Sequence, residues 1–309
     1  MKKILITGAT GFIGRNLIER LKRNGGVEII AVDRNWRSSD TDNSIFDGVE
    51  KVELNASDFC HLTERIKHRD IDTFFHLAWS GVNGTDKKDY RIQLSNSMAA
   101  CEAVESAAEM GCNRFVFVGS ADEYEFDEMP DARFHPYSHS KIYGISKYAA
   151  EVIGKIMASK SEIEFVSALL TLTYGCGNRT NVLPNMIIRN TLANKPISLI
   201  KGDNYFDMIY IDEAVKGIIT VAEQGIDKES YYIGHADLKT FKNTVLDICR
   251  ALGSSIELRF GEYPDVDDAL DYSKIDRTKL YRDTGYVCDY PLEKGIRQTY
   301  DWLKNVESW

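Results

Sequence analysis

The residues of this sequence best suited to chemistry are tyrosine and lysine pairs spaced four residues apart. A tyrosine phenol has a pKa of about 10, so on its own it is a weak base at neutral pH. A lysine ammonium nearby favours the phenolate and lowers that pKa. Residues i and i+4 of a helix lie on one face. The Y-x-x-x-K spacing therefore suits proton transfer to or from a sugar alcohol or ketone during hydride transfer.

The sequence contains four such pairs, and their context must select among them. They are Tyr137/Lys141, Tyr143/Lys147, Tyr290/Lys294 and Tyr300/Lys304. The last two lie far along the chain from the strands that would hold a cofactor. The first two belong to one helix, and six residues rotate its face by about 240°, so both cannot face one ligand. We predict that Tyr143 and Lys147 are catalytic, with the earlier pair as the alternative, and that Ser120 hydrogen-bonds the same substrate oxygen.

The start of the chain has the pattern of a dinucleotide-binding bend. Residues 2–14 read KKILITGATGFIG, a short apolar run followed by Gly8, Gly11 and Gly14, and apolar residues then recur at helical spacing. A short apolar run bounded by glycine is typical of a buried parallel strand. The glycines thus lie where a strand turns into a helix, and a tight bend close to a phosphate favours residues without a Cβ. The free N–H groups of the helix would then bind a pyrophosphate.

An acidic residue ends the second predicted strand, residues 27–33. Asp33 follows the glycines at a spacing that suits acceptance of hydrogen bonds from both ribose hydroxyls of an adenosine, and its charge repels a 2′-phosphate. Arg34 and Arg37 come directly after it and could instead clamp such a phosphate. We expect NAD as the cofactor, with NADP as the alternative.

Strands and helices continue to alternate through the first half of the chain. Further strands are predicted at residues 49–55, 72–77 and 114–118, with helices at 58–69, capped by Asp58, and at 90–110. This order predicts an α/β fold with a Rossmann-type doubly wound parallel sheet. Ligands bind at the carboxyl edge of such sheets, where Asn55, residues 78–81 and Ser120 fall. His76, inside a strand, is expected to be a core residue.

After Tyr174 the alternation loosens. We predict a loop at residues 177–185, a helix at 186–193, short strands at 198–200 and 231–233, and an amphipathic helix at 241–252. The proposed division is a dinucleotide-binding Rossmann domain at 1–172, which the chain rejoins at about 206–235, and a smaller, mainly substrate-binding α/β domain at 173–309. The smaller domain would close a cleft over the edge of the sheet.

The composition restricts the class of protein. Hydrophobic residues make up 43% and charged residues 28% of 309 positions, as in soluble globular proteins. A net charge of −9 without a long basic run argues against nucleic-acid binding. Six cysteines without a C-x-x-C pair indicate free thiols in a reducing compartment and no zinc site. With no signal peptide or bilayer-length apolar stretch, we expect a cytoplasmic enzyme without a metal or a membrane partner.

These motifs together resemble the extended short-chain dehydrogenase/reductase family of NAD-dependent sugar-nucleotide epimerases, dehydratases and reductases. The resemblance rests on TGATGFIG, Asp33, HLAW at 76–79, GSADEY at 119–124, and YGISK at 143–147 followed by AAE. It continues through residues 173–175, 208–213, 232–234 and 292–303, and so covers nearly the whole chain. It implies a sugar-nucleotide substrate, a place in polysaccharide biosynthesis, and a homodimer in which helices 90–110 and 143–159 form a four-helix bundle.

The resemblance also implies roles for particular residues. Those matching the catalytic positions are Ser120, Tyr143 and Lys147. Expected to bind the cofactor, besides Tyr143 and Lys147, are Gly8, Gly11, Phe12, Ile13, Gly14, Asp33, Arg34, Asn55, Ala56, Leu77, Ala78, Trp79 and Asn96. Expected to contact the substrate are Trp79, Ser80, Asp122, Tyr174, Arg179 and Asn181.

Departures from the family pattern bear on the reaction. The 4,6-dehydratases carry Thr-Asp-Glu where this chain has Ser120-Ala121-Asp122, so the general acid for water loss is missing. Epimerases carry a diphosphate-binding arginine where this chain has Phe206, and a second arginine is absent near 264–265. A bound diphosphate would then need Arg179, Arg189 or Lys201. The GSADEY and FDMIY segments resemble a smaller branch of reductases that act on nucleotide-linked 4-keto-6-deoxyhexoses.

Three functions follow from these observations. The expected one is NAD(P)-dependent reduction of a 4-keto sugar nucleotide by hydride transfer. The second is a 4-epimerase that keeps its NAD and uses the same residues. The third is a non-catalytic dinucleotide-binding protein, against which the intact set of Ser120, Tyr143 and Lys147 argues.

Overall fold

The computed structural model of the protein describes residues 1–36, 44–127, 139, 141–264 and 270–307. In the first part of the chain the strands and helices are β1 (Lys3–Thr7), α1 (Phe12–Asn24), β2 (Glu28–Asp33), β3 (Glu50–Glu53), α2 (Leu62–Arg65), β4 (Thr73–His76), α3 (Tyr90–Glu109), β5 (Arg114–Ser120), α4 (Tyr124–Asp127), α5 (Lys141–Lys160) and β6 (Glu164–Leu170). Short 3-10 turns lie at Ser44–Phe46, Ala56–His61, Asp86–Lys88 and Ala121–Glu123.

The second part of the chain has shorter strands. In order it contains β7 (Leu172–Tyr174), α6 (Leu183–Leu192), β8 (Ile197–Leu199), β9 (Tyr205–Phe206), β10 (Met208–Tyr210), α7 (Ile211–Gln224), β11 (Ser230–Ile233), β12 (Lys239–Thr240), α8 (Phe241–Leu252), β13 (Leu258–Phe260), α9 (Lys279–Thr284) and α10 (Leu292–Val306). A 3-10 turn lies at Tyr272–Lys274.

A parallel sheet forms the centre of the molecule. Within the described residues it has seven strands in the order β3-β2-β1-β4-β5-β6-β11, and every neighbouring pair is parallel. The strand order reverses between β1 and β4, which is where ligands bind in doubly wound sheets. The predicted Rossmann-type fold is confirmed. Three two-stranded sheets, β7–β10, β9–β12 and β8–β13, accompany it.

Alternating side chains of β1 build the two cores of the sheet. Ile4 and Ile6 join the hydrophobic cluster that also contains buried residues of α1 and α7. Leu5 joins the second cluster, with buried residues of α3 and α5. Successive side chains of a strand point to opposite faces, so a sheet covered by helices on both sides needs an apolar residue at every position. This explains the uninterrupted apolar run of β1.

Two predicted elements differ in the structure. The helix expected at 58–69 is a 3-10 turn followed by the single turn α2, and Asn55, not Asp58, caps it by accepting from Ser57 N–H at 3.5 Å. Asp58 has φ −117° and ψ 19°, which interrupts a continuous helix. The loop expected at 177–185 is shorter, since α6 begins at Leu183 with Pro184 in its first turn, where its lack of an N–H costs nothing.

Among the described residues, no helix combines the length and the apolar character needed to cross a membrane. None of them forms a cluster of three or more His, Cys, Asp or Glu side chains able to hold a metal ion.

Candidate active site

The glycine bend between β1 and α1 leaves no room for side chains. A Cβ on Gly8 would lie 2.8 Å from the Ala78 nitrogen, and one on Gly14 would lie 2.3 Å from the Gly8 oxygen. Gly8 also has φ +71°, which favours glycine. Gly11 is the N-cap of α1, and no described capping side chain accepts from the N–H groups of the first turn. The bend thus fits the pyrophosphate of a dinucleotide.

The carboxylate of Asp33 lies beside this bend at the end of β2. Its Oδ2 accepts from Thr10 N–H at 2.9 Å, and its Oδ1 accepts from Arg34 N–H at 2.8 Å. The side chain is half-buried. An anionic acceptor is therefore fixed next to the glycines, as an adenosine ribose requires. Arg37, the competing phosphate clamp, lies outside the described residues.

A cleft of about 480 Å³ connects the bend to the predicted catalytic residues. Its lining includes Gly8, Gly11, Phe12, Ile13, Gly14, Leu77, Trp79, Ser120, Asp122, Tyr143 and Lys147. The structure thus brings together most of the residues proposed for the cofactor and all three proposed for catalysis. The rest of the predicted site set does not line the cleft: Asp33, Arg34, Asn55, Ala56, Ala78, Ser80, Asn96, Tyr174, Arg179 and Asn181.

Two of these residues, Asn96 and Asn55, hydrogen-bond the backbone near the cleft. Asn96 is buried on α3, where its Oδ1 accepts from Ser80 N–H at 2.9 Å and its Nδ2 donates to Ser80 O at 2.8 Å. Asn55 caps the turn that Ala56 begins. Both amides therefore have structural partners, and Asn96 fixes the backbone that follows β4.

Tyr143 is 8% exposed and lines the cleft. Its ring meets Trp79 edge-on, with the ring centroids 6.2 Å apart. Burial raises the pKa of Tyr143, and the negative charges of Asp122 and Glu123 raise it further. A hydrogen bond from the Ser120 hydroxyl acts in the opposite direction. In this structure Tyr143 is consequently a neutral phenol, able to donate a proton.

Lys147 is buried one helical turn further along α5. Its Nζ donates to Val118 O at 2.8 Å and lies 4.0 Å from the centre of the Trp79 ring. Burial lowers the pKa of Lys147 to about 8, against the charges of Glu123 and Glu151, which raise it. We expected Lys147 to lower the pKa of Tyr143, but Lys147 is not among the influences on that pKa from the described residues. Its ammonium contacts a carbonyl and aromatic rings instead.

Lys87 is a second cation at Tyr143 that the sequence did not indicate. Its Nζ lies 2.9 Å from Asp122 Oδ2 and 4.6 Å from the centre of the Tyr143 ring. Buried Gln93 fixes the loop that carries Lys87, since its Nε2 donates to Asp86 O at 3.0 Å. In the sequence, Lys87 is only a charged residue in the loop after β4. Because charged loop residues are usually solvated, nothing marked it as part of the site.

The substrate side of the cleft also differs from expectation. Its lining includes Thr171, Thr173, Asn178, Thr180, Phe206 and Tyr272, which the sequence analysis did not select as substrate contacts. Phe206 puts an aromatic ring where the family pattern has an arginine. Tyr174 is 2% exposed and packs against Tyr210, with the ring centroids 5.5 Å apart, because its ring fills the core beneath α10.

The cations considered for a diphosphate have other partners. Arg189 forms an ion pair with Glu307 at 2.6 Å and donates to Asn181 Oδ1 at 3.1 Å. Lys201 forms an ion pair with Asp203 on the surface. Arg179 is exposed and does not line the cleft.

Among the described residues, no tyrosine or lysine of the competing pairs lines the cleft. Tyr137 lies outside the described residues, and Lys141 forms an ion pair with Glu125 at 2.6 Å. Tyr290 stacks on Tyr210, 4.7 Å between ring centroids, and its partner Lys294 lies over the ring. Neither Tyr300 nor Lys304, both on α10, lines the cleft.

His76 is enclosed at the centre of the sheet. Its Nδ1 lies 3.1 Å from Thr7 Oγ1, while its Nε2 has no hydrogen-bond partner among the described residues. Burial, followed by the charge of Lys147, lowers the pKa of His76 to about 3. The ring therefore stays neutral and has a core role.

The chain is similar over nearly its full length to enzymes of sugar nucleotides. It is 24% identical to CDP-abequose synthase of Salmonella typhimurium, over 96% of each chain. It is 22% identical to a dTDP-glucose 4,6-dehydratase of Escherichia coli, over 99% of this chain and 95% of the relative.

Solved structures share the fold. A UDP-glucose 4-epimerase of Thermotoga maritima, solved with UDP-glucose, has a TM-score of 0.80 and 20% identity, over 98% of this chain and 99% of the other. A UDP-glucuronic acid 4-epimerase of Bacillus cereus, in complex with UDP-glucuronic acid and NAD, has a TM-score of 0.78 and 20% identity, over 99% of this chain and 100% of the other.

The family model of the NAD dependent epimerase/dehydratase family matches residues 4–234, which run from β1 through the residues predicted to be catalytic to just past β11. The chain belongs to the NAD dependent epimerase/dehydratase family.

Proposed function

We propose that this protein is a reductase that transfers a hydride to the 4-keto group of a nucleotide-linked sugar. The observation that carries the proposal is the single cleft that Ser120, Tyr143 and Lys147 line together with the glycine bend. A neutral phenol is the form that gives a proton to a ketone oxygen as hydride reaches the carbon.

We propose a separate role for each residue of the site in this reaction. When bound in its reduced form, NAD supplies the hydride. Tyr143 donates its proton to the substrate oxygen, and the Ser120 hydroxyl hydrogen-bonds the same oxygen. Lys147 is proposed to bind the nicotinamide ribose and to stabilise the phenolate that remains. Asp33 is proposed to accept from the adenosine ribose.

The same geometry argues against dehydration. The position of the dehydratase acid is occupied by Ala121, which has no proton to give. The neighbouring Asp122 is paired with Lys87 at 2.9 Å, and Glu123 accepts from Ser120 N–H at 2.6 Å. The similarity to CDP-abequose synthase is in keeping with this reading, although dehydratases lie equally near.

The second candidate is a 4-epimerase, which the family membership supports. An epimerase oxidises the sugar and returns the hydride to the opposite face, so it needs Tyr143 first as a base and then as an acid. We rank reduction first because Phe206 lines the cleft at the position where the epimerases of the family carry a diphosphate-binding arginine.

The test uses purified protein with NADH or NADPH and a panel of UDP-, dTDP-, GDP- and CDP-linked 4-keto sugars. We expect net oxidation of NADH with one of them, and a loss of at least about 100-fold in kcat for Tyr143→Phe. NAD affinity, followed by thermal shift, should be retained in this variant. Interconversion of two epimers without net NADH consumption would identify the epimerase. Full turnover by Tyr143→Phe would refute the catalytic assignment.

A further inference from the structure

A pair of buried carboxyl groups lies behind the catalytic lysine. Glu123, in the turn after β5, is 1% exposed, and Glu151, one turn after Lys147 on α5, is 3% exposed. Neither residue lines the cleft. The reaction proposed above gives these two acids no role.

Glu123 is bonded directly to the backbone of a catalytic residue. Its Oε1 accepts from Ser120 N–H at 2.6 Å, and in return Ser120 Oγ accepts from Asp122 N–H at 3.2 Å. This reciprocal arrangement is a capping box. A Cβ on Gly119 would lie 2.3 Å from Glu123 Oε1, so the strand end is shaped to admit the carboxyl group. Glu123 therefore sets the position of Ser120.

Glu151 has a cation and hydroxyl donors of its own. Its Oε1 lies 2.9 Å from Lys155 Nζ and accepts from the Ser230 hydroxyl. Its negative charge is consequently paired with a cation. Burial, the largest influence, raises the pKa of Glu151, but the charge of Lys155 and the hydrogen bond from Ser230 hold it below its usual value.

Glu123 has no comparable cation. It lies within hydrogen-bonding reach of Glu151, yet its Oε2 has no hydrogen-bond partner among the described residues. The Nζ of Lys147 donates to Val118 O and forms no ion pair with either acid in the described part of the chain. Two adjacent carboxylates without a cation between them repel, and a buried ion with a bare oxygen is costly. One shared proton removes both costs.

We propose that Glu123 is a positioning residue that works as a neutral acid, sharing one proton with Glu151 while it holds the Ser120 backbone in place. The groups that face it are Tyr143, Lys147 and Glu151, all from α5, and the Ser120 N–H at the end of β5. Burial and the charge of Glu151 raise the pKa of Glu123 well above its usual value, and Lys147 opposes this.

The neutral state has a consequence for the reacting groups. A negative charge on Glu123 raises the pKa of Tyr143 and is attracted to Lys147. With the proton in place, the charge of Lys147 remains available to the phenolate that proton donation leaves behind. The inference thus deepens the proposed function and rests on it only for its kinetic consequence.

Infrared difference spectroscopy of the purified protein tests the protonation without any substrate. We expect the carbonyl band of a protonated carboxylic acid at neutral pH in wild type and its loss in Glu123→Gln. The matched control is Glu213→Gln, at another buried acid, which is 5% exposed and lies 3.4 Å from Lys216; this control should keep the band. No such band in wild type, or a band that persists in both Glu123→Gln and Glu151→Gln, overturns the proposal.

Thermal unfolding as a function of pH gives a second, independent readout. An acid whose pKa is raised on folding takes up a proton when the chain folds, so stability falls as pH rises above the unfolded value of about 4.5. Glutamine cannot ionise, and its amide can donate to Glu151 as the protonated acid does. The Tm of Glu123→Gln relative to wild type should therefore increase between about pH 5 and pH 8. A constant Tm difference contradicts the proposal.

Steady-state kinetics of Glu123 variants test whether the protonated Glu123 supports the proposed reaction. Glu123→Ala should lower kcat by about 10- to 100-fold through displacement of Ser120, with a smaller change in KM. Glu123→Gln should recover most of that loss. If glutamine is as damaging as alanine, an ionised Glu123 is required and the proposal fails. The spectroscopic and thermal results stand without a known substrate, so they separate this failure from failure of the proposed reductase.

Discussion

At the scale of single residues, the surroundings of Tyr143 matter more than its spacing from Lys147. The sequence indicated that the lysine would acidify the phenol, but in the structure burial of the ring and the charges of Asp122 and Glu123 raise its pKa. Both effects favour the neutral phenol. Lys147 is held by Val118 O instead, with its own pKa lowered to about 8 by burial. This arrangement supports the proposal that Tyr143 donates a proton and that Lys147 then stabilises the phenolate.

Asp33 should determine the choice between the two dinucleotides. Asp33→Ser removes the ribose acceptor and the charge that repels a 2′-phosphate. We expect NADH to bind about tenfold more weakly and the preference over NADPH to shrink or reverse. Titration of both reduced cofactors, followed by their fluorescence, measures this.

Glu28→Ser, at the exposed start of the same strand, is the control for the Asp33 substitution and should leave both affinities unchanged. A ratio of affinities that stays the same in Asp33→Ser would contradict the assignment. Because Asp33 also accepts from Thr10 and Arg34, Tm is followed in parallel.

At the scale of elements, the glycine bend owes its shape to two separate constraints. Gly8 has a positive φ and is crowded by the backbone of residues 77–78. Gly25, at the other end of α1, has φ +73°, and a Cβ at this position would meet nothing within 4 Å. The two positions therefore separate backbone strain from steric crowding.

Alanine substitutions at these glycines give different expected results. Gly25→Ala should cost about 1–3 kcal/mol in the free energy of unfolding and leave NAD affinity unchanged, because only the backbone is strained. Gly8→Ala should lower stability at least as much and, in addition, weaken NAD binding by more than about tenfold. Urea unfolding and isothermal titration with NAD measure the two quantities. Equal NAD affinities in both variants would show that the bend does not hold the dinucleotide.

The elements also show what sequence can predict. The strands and the bend follow from short apolar runs and glycine spacing, which are local properties, and β1, β2 and β4 lie within two residues of their predicted ends. The helix at 58–69 was wrong, because Asn55 and the backbone of Asp58 impose a 3-10 turn there. Lys87 and Phe206 reach the cleft from loops and short strands whose course depends on the whole fold. No local pattern marks such residues.

At the scale of the whole molecule, an apolar surface covers the two helices beside the active site. On α3 it includes Leu94 and Met98, 57% and 63% exposed, and on α5 it includes Ile153 and Ile156, 46% and 65% exposed. The α3 and α5 helices pack against each other through their buried residues, so these exposed side chains lie on neighbouring helices. Monomeric proteins seldom expose such a patch. We propose that two copies of the chain pair through it.

The assembly can be tested by light scattering after gel filtration. Wild type is expected to be a dimer, and the double variant Met98→Glu/Ile156→Glu a monomer, because burying two carboxylates in an apolar interface is costly. Leu246→Glu, at an exposed apolar residue of α8, is the control and should remain dimeric. A monomeric wild type at micromolar concentration would contradict the proposal.

The α5 helix has one further consequence, because its two faces do different things. Tyr143, Lys147 and Glu151 follow one another along the inward face, while Ile145 and Ile156 look outward. Because α5 is a continuous helix, a movement of its outward face also moves its inward face. Dilution that separates two copies would thus loosen the support of the reacting phenol, and specific activity would depend on how concentrated the enzyme is.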